Sequence, residues 1–271
     1  MRRIIIALVL VATALGHGDT HEAILAITAE IAKAPNDADL LLRRGELHSQ
    51  HQDWVAAAAD FDRVAKLAPE LVAVDFCRGK MHLTAGKPAA AVKSLDRFIK
   101  KKPDHAAAFL TRARAKLQLR EHAAAAADYT KAITLSTQPE PEFYIERANA
   151  LAAQGPKQRE PAIRSLDEGI EKLGPIVTLI LPAIELEVGA KKYDAALARL
   201  ERFTATMPRK DSWLARRAEI LAKAGRKDEA LAAYQSTLTA IDALPHRTRQ
   251  AKATADLRVR IEAQIASLKK P

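Results

Sequence analysis

Residues 38–71 read ADLLLRRGELHSQHQDWVAAAADFDRVAKLAPEL, and this stretch decides the fold. Leu41, Gly45 and His48 recur at helical spacing and place a first helix. A short polar break follows at Gln52 and Asp53. Trp54, Ala57, Phe61 and Val64 then fall at i, i+3, i+7 and i+10 on one face of a second helix. Pro69 ends that helix, because proline lacks the backbone N–H that would continue the hydrogen-bond ladder. The stretch therefore predicts an antiparallel pair of helices.

Outward from this unit, Ala57 belongs to a column formed by Ala23, Ala57, Ala91, Ala125, Ala162, Ala196 and Ala230, with steps of 34, 34, 34, 37, 34 and 34 residues. Four residues after each stands a large side chain: Ile27, Phe61, Leu95, Tyr129, Leu166, Leu200 and Tyr234. A proline column follows at Pro35, Pro69, Pro103, Pro139, Pro175, Pro208 and Pro245. The first helices carry a small residue at Gly45, Gly79, Ala113, Ala148, Ala183 and Ala218. Two helices at close range need a small residue at the contact and a large one opposite, so Gly45 is expected against Ala57 and Phe61, and Ala218 against Ala230 and Tyr234. Self-similarity at about 34 residues denotes a stacked array in place of one globular core. No stretch alternates at period two for long enough to predict a sheet.

These columns resemble the tetratricopeptide repeat. The resemblance covers residues 21–245 and implies an all-α fold: a right-handed α-solenoid of stacked helix-turn-helix repeats, with a concave groove lined by the first helices. The expected organisation is a half-repeat at 21–35, repeats at 38–71, 72–105, 106–139, 140–175, 176–210 and 211–245, and a single capping helix in 246–271. Units beginning at Ala38, Val72, Ala106 and Asp211 match closely. The unit from Pro141 carries two extra residues in its inter-helix turn, within residues 155–161. In the unit from Ile176, Pro182 is expected to interrupt the first helix, and one residue is inserted before Tyr193. Leu257, Ile261, Ile265 and Leu268 form the apolar stripe of the terminal cap.

Residues 1–14 read as a cleaved secretory signal: Arg2 and Arg3, an apolar run from Ile4 to Val11, then Ala12-Thr13-Ala14, with cleavage within 14–16. The run is too short to span a bilayer, which takes roughly 20 residues. Removing Arg2 and Arg3 lowers the net charge from +10 to +8. An exported basic chain points away from nucleic acid and toward acidic proteins or anionic envelope surfaces, the latter through the basic helix from His246. Cys77 is the only cysteine, so no intramolecular disulfide forms; within a helix it reads as a buried, inert thiol.

No catalytic motif stands out: the chain lacks a Gly-rich phosphate loop, a paired-histidine zinc signature and a serine elbow, and reads as non-catalytic with no cofactor. Arg44, Arg78, Arg112, Arg147 and Arg217 precede the small residue of their first helices. Asp60 lies 16 residues after Arg44, and Asp128 lies 16 after Arg112, which reads as structural ion pairing of the exposed kind. By the resemblance, the groove presents Leu42 and Glu46, Phe76 and Lys80, Leu110 and Arg114, and Ile145 and Asn149 to a protein or peptide partner. Apolar and basic residues in its middle favour an acidic segment with apolar anchors. Leu42 and Glu46 stand where carboxylate-clamping relatives use lysine and asparagine, which argues against capture of a chain end. A second reading gathers His17, Asp19, His21, His48 and His51 at one end of the array, as ligands suited to zinc, copper or nickel. Against it, His48 and His82 occupy a column where the family has tyrosine, and His122 the ring position held by Trp54, so they also read as packing residues.

Overall fold

The computed structural model describes residues 20–205, 207 and 211–270, and all regular structure among them is helical. The expected signal segment, His17 and Asp19 lie outside the described residues. The chain divides into two compact units, Met1–Pro139 and Glu140–Pro271.

In the first unit, α1 (20–33) precedes three helix pairs: α2 (Ala38–Gln50) with α3 (Trp54–Leu67), α4 (Ala73–Thr84) with α5 (Pro88–Lys101), and α6 (Ala106–Gln118) with α7 (His122–Leu135). The second unit pairs α8 (Pro141–Ala152) with α9 (Arg159–Leu173), α10 (Val177–Gly189) with α11 (Tyr193–Thr204), and α12 (Asp211–Lys223) with α13 (Lys227–Asp242). It closes with α14 (His246–Arg249) and α15 (Lys252–Lys269).

Local chemistry sets the ends of these helices. The Asp37 carboxylate accepts from the N–H groups of Asp39 and Leu40, and Asp53 accepts from Ala56 N–H, so both cap orphan donors. Pro88 and Pro141 occupy first positions, where a missing N–H costs nothing. Between paired helices the chain turns through one left-handed residue: Gln52, Gly86, Arg120, Lys191 or Gly225, with φ between 60° and 76°. Gly155, in the turn with two extra residues, takes φ 108° instead and leads into a 3-10 turn at Pro156–Gln158.

Packing follows the size columns. A Cβ built on Gly45 would lie 2.6 Å from Phe61 Cε1, and one on Gly79 would lie 2.6 Å from Leu95 Cγ. Leu41, Ala57, Phe61 and Val64 are fully buried in one cluster. Ala218, Ala230 and Tyr234 share another cluster. Each such Leu, Val or Phe contributes about 1.5–3 kcal/mol through apolar burial. In the α8–α9 pair a second steric exchange appears: Tyr144 on the first helix fills the space left by Gly169 on the second, whose Cβ would lie 2.9 Å from Tyr144 Cγ.

Three expectations are corrected. Pro182 does not interrupt α10, which runs through it. The proline removes one hydrogen bond at a cost of about 3 kcal/mol, which full or near-full burial of Leu179, Ile180 and Ile184 outweighs. The extra residue of that unit is not in the turn before Tyr193, which keeps the three-residue form of its sisters. α10 has 13 residues, as α2 and α6 do, so none is inserted there either: counting back from the turn puts Ile184, not Ala183, at the register of Gly45. Finally, the cap is not one helix. Ala251 adopts extended backbone (φ −59°, ψ 136°) between α14 and α15, and Arg249 Nη1 donates to Asp242 O at 2.7 Å. The break lets α15 lay Leu257, Ile261, Ile265 and Leu268 against the α12–α13 core.

Candidate functional site

The arginines of the first helices form a ladder. Arg44 donates through Nε and Nη2 to both Asp60 oxygens at 2.7 Å, and through Nη1 to Thr28 Oγ1 at 3.2 Å. Arg112 repeats the pattern, with Asp128 at 2.8 and 2.7 Å and Asp96 at 2.7 Å. Lys116 Nζ adds a second cation to Asp128 at 2.7 Å. The pairing read from the sequence is therefore present, but its exposed character is corrected: Asp60 is 3% and Asp128 5% exposed. Pairs 12 and 16 residues apart nest around one turn, which is the register of antiparallel helices. Burial makes these bidentate pairs stronger than surface bridges and costly to break. Arg147 donates to Ser165 Oγ at 2.8 Å and to Glu168 at 2.6 Å. In the α10–α11 pair the polarity reverses: Arg199 on the second helix holds buried Glu187 on the first, with bonds of 2.6–3.1 Å, and also reaches Asp167 at 2.7 Å. These arginines are engaged in holding the fold.

The residues expected in the groove sit on α2, α4 and α6 in the first unit and on α8 in the second. First helices α2 with α4, and α4 with α6, are in contact. Leu42 packs on the first core cluster, and Phe76 and Leu110 on the next; all three stay half-buried. Phe76 lies 5.2 Å from the Phe98 ring and 4.9 Å from His105. Lys80 Nζ stands 5.6 Å over Phe76 and 3.8 Å from Glu46. Lys80 and Arg114 are exposed. On α8, Ile145 is half-buried and Asn149 exposed. Sequence reasoning missed the concavity beside Lys80: a cleft of about 450 Å³ lined by Ser49, Gln50, Gln52, Trp54, Lys80 and Thr84. Its signal was present, since Gln50 and Thr84 are 34 residues apart and lie one helical turn beyond Glu46 and Lys80.

The family model described as tetratricopeptide repeat matches residues 8–71, 78–140 and 182–245, well over half of the chain. The chain belongs to the tetratricopeptide repeat family. No curated protein matches it in sequence. Among solved structures, this repeat protein is similar to MamA (41-end) from Desulfovibrio magneticus RS-1, at 19% identity and TM-score 0.52, over 59% of this chain and 89% of that one. It is similar to PilF of Pseudomonas aeruginosa at 17% identity and TM-score 0.55, over 73% and 88%. A tetratricopeptide repeat protein from Parabacteroides merdae aligns over 90% of this chain and 93% of that chain, at 14% identity and TM-score 0.53. At these identities the likeness is one of fold, the all-α repeat solenoid.

The described histidines of this repeat chain are not assembled as ligands. Among the described residues, no three His, Cys, Asp or Glu side chains are placed to hold a metal ion. His21 is exposed on α1, and the half-buried His48 has Nδ1 3.6 Å from Asp53 Oδ2. His51 caps the C-terminus of α2. Cys77 donates through Sγ to Glu46 Oε1 at 3.2 Å. Burial first, then the Glu46 carboxylate, pushes its thiol up to about 12.

Proposed function

We propose that this chain is an exported, non-catalytic scaffold of the cell envelope that binds a protein or peptide on the first-helix face of α2, α4 and α6. The observation that carries the reading is a 34-residue alternation on that face: half-buried Leu42, Phe76 and Leu110, with charged Glu46, Lys80 and Arg114 one turn later. Apolar anchors fixed by the core, with charged side chains one turn along, suit an extended segment or a helix. Membership of a repeat family whose stacked pairs form partner-binding surfaces supports it. So does one structural neighbour, Naa15/Naa10, which was solved bound to HypK-THB. The balance of Lys80 and Arg114 against Glu46 favours an acidic partner.

The test is affinity capture from the native envelope with wild type and with Lys80→Glu/Arg114→Glu. The reversed chain is expected to lose the acidic partner while keeping its helical circular dichroism; equal recovery discards this face. Export is checked by fractionation and by sequencing the mature N-terminus, expected at 15–17. An intact Met1 in the cytosolic fraction removes the envelope part of the reading.

A further inference from the structure

The ladder of the first unit has one incomplete rung. Positions 60, 94 and 128 stand 16 residues after Arg44, Arg78 and Arg112, and hold Asp, Ser and Asp. Arg44 and Arg112 each engage Nε, Nη1 and Nη2. Among the described residues, Arg78 engages Nη2 alone, with Asp62, a carboxylate that is 66% exposed. The carboxylate that neutralises its two sister arginines from within the pair is thus missing here.

A cleft of about 380 Å³ opens at this point between α3, α4 and α5, lined by Asp62, Arg78, His82, Lys93, Ser94 and Arg97 among others. Ser94 is 3% exposed, and its Oγ receives only a long 3.4 Å contact from Arg97 Nη2. Arg97 is otherwise bound to Asp75, at 2.9 Å from Nε and 2.6 Å from Nη2. Lys93 is exposed at the rim. His82 Nδ1 is buried without a hydrogen-bond partner. Burial, then the positive charge of Lys87, Arg78 and Arg97, holds the imidazole below its ordinary range, so the local field is positive. Three cations at the wall against Asp62 and Asp75 leave the cleft with one positive charge in excess.

We propose that this cleft binds a carboxylate side chain of an acidic partner peptide, which takes the place of the aspartate absent at position 94. Arg44 and Arg112 show the geometry such a carboxylate would meet: a guanidinium on the first helix presenting Nε and Nη2 together. The site shares no residue with the first-helix face, so it stands or falls independently of that reading.

The experiment titrates the full mature chain into fluorescein-labelled acetyl-hexaglutamate-amide at constant ionic strength and reads anisotropy. Ser94→Asp supplies the missing rung and is expected to weaken binding at least about tenfold, as is Arg78→Gln. Ser94→Asn, of the same shape without charge, and Lys131→Gln, which removes one exposed positive charge on α7, are expected to stay within about twofold. In parallel, the His82 ring resonance is followed against pH. Bound peptide is expected to raise its midpoint, because a nearby anion favours the imidazolium. Wild-type affinity in Ser94→Asp, or an equal loss in Lys131→Gln, overturns the proposal. If Ser94→Asp fails to fold, Arg78→Gln and the His82 titration decide alone. Inorganic phosphate moving the His82 resonance where hexaglutamate does not would show a free-anion site and also overturn it.

Discussion

Gly45 is the residue on which the α2–α3 pair turns. Its missing Cβ is the space Phe61 occupies, so Gly45→Ala forces the ring off its rotamer and is expected to cost about 1–3 kcal/mol in urea denaturation. The double variant Gly45→Ala/Phe61→Leu should recover part of that loss; no recovery would mean the cost arises elsewhere. Tyr144 presents the opposite case. Its ring fills the Gly169 gap, but its hydroxyl is buried without a partner, and burial raises its ionisation above the ordinary range. Tyr144→Phe is expected to keep or raise the melting temperature, by up to about 1 kcal/mol of stability; a clear drop would reveal a bond the hydroxyl makes. His82 carries a pH dependence of definite sign. Its ionisation is depressed in the folded chain, so the unfolded chain binds more protons as pH falls through the window below about 6.5. Stability is therefore present above that window and lost as pH falls through it, and His82→Gln should flatten this slope in thermal melts taken at successive pH values.

Among the elements, the α10–α11 pair best explains what the sequence disclosed and what it withheld. The arginine column was legible, and its gap at this unit was visible, because Pro182 and not an arginine precedes Ala183 in the small-residue column. What could not be read was the compensation: the cation moves to Arg199 on the second helix and the acid to Glu187 on the first, a reversal of Lys116 and Asp128 at the same 12-residue separation. Column matching compares residue types at fixed positions, whereas the physical requirement is only that a buried charge meet its opposite. Arg199→Met is expected to strand Glu187, 4% exposed, and to cost about 3–5 kcal/mol, with most of it returned in Glu187→Met/Arg199→Met. A single-variant cost under about 1 kcal/mol would show that the pair is not structural. Pro182 misled for a related reason: local propensity predicts a break, and burial of the surrounding helix overrides it. The cleft beside Lys80 was missed although Gln50 and Thr84 recur at 34 residues, because such a column shows which residues share a face and not how far apart the helices stand.

At the scale of the whole molecule, each pair is stabilised chiefly by its own turn and its sequence neighbours, so the ends depend on caps. Truncation after Pro245 removes α14 and α15 and bares the core that Ile261, 2% exposed, now covers. The shortened chain is expected to melt at lower temperature and to bind a hydrophobic dye; an unchanged melt would show that α15 is dispensable. The existence of the cap was legible from its apolar stripe, while its break at Ala251 was not, because nothing in that residue's chemistry demands an extended conformation. Cys77 has a practical bearing on such measurements. With its thiol pushed up to about 12 by burial and the Glu46 carboxylate, little of the reactive thiolate is present at pH 7. Maleimide dyes will pass it by, so a fluorophore can be attached at a newly introduced surface cysteine, such as Lys131→Cys, with the native cysteine left in place.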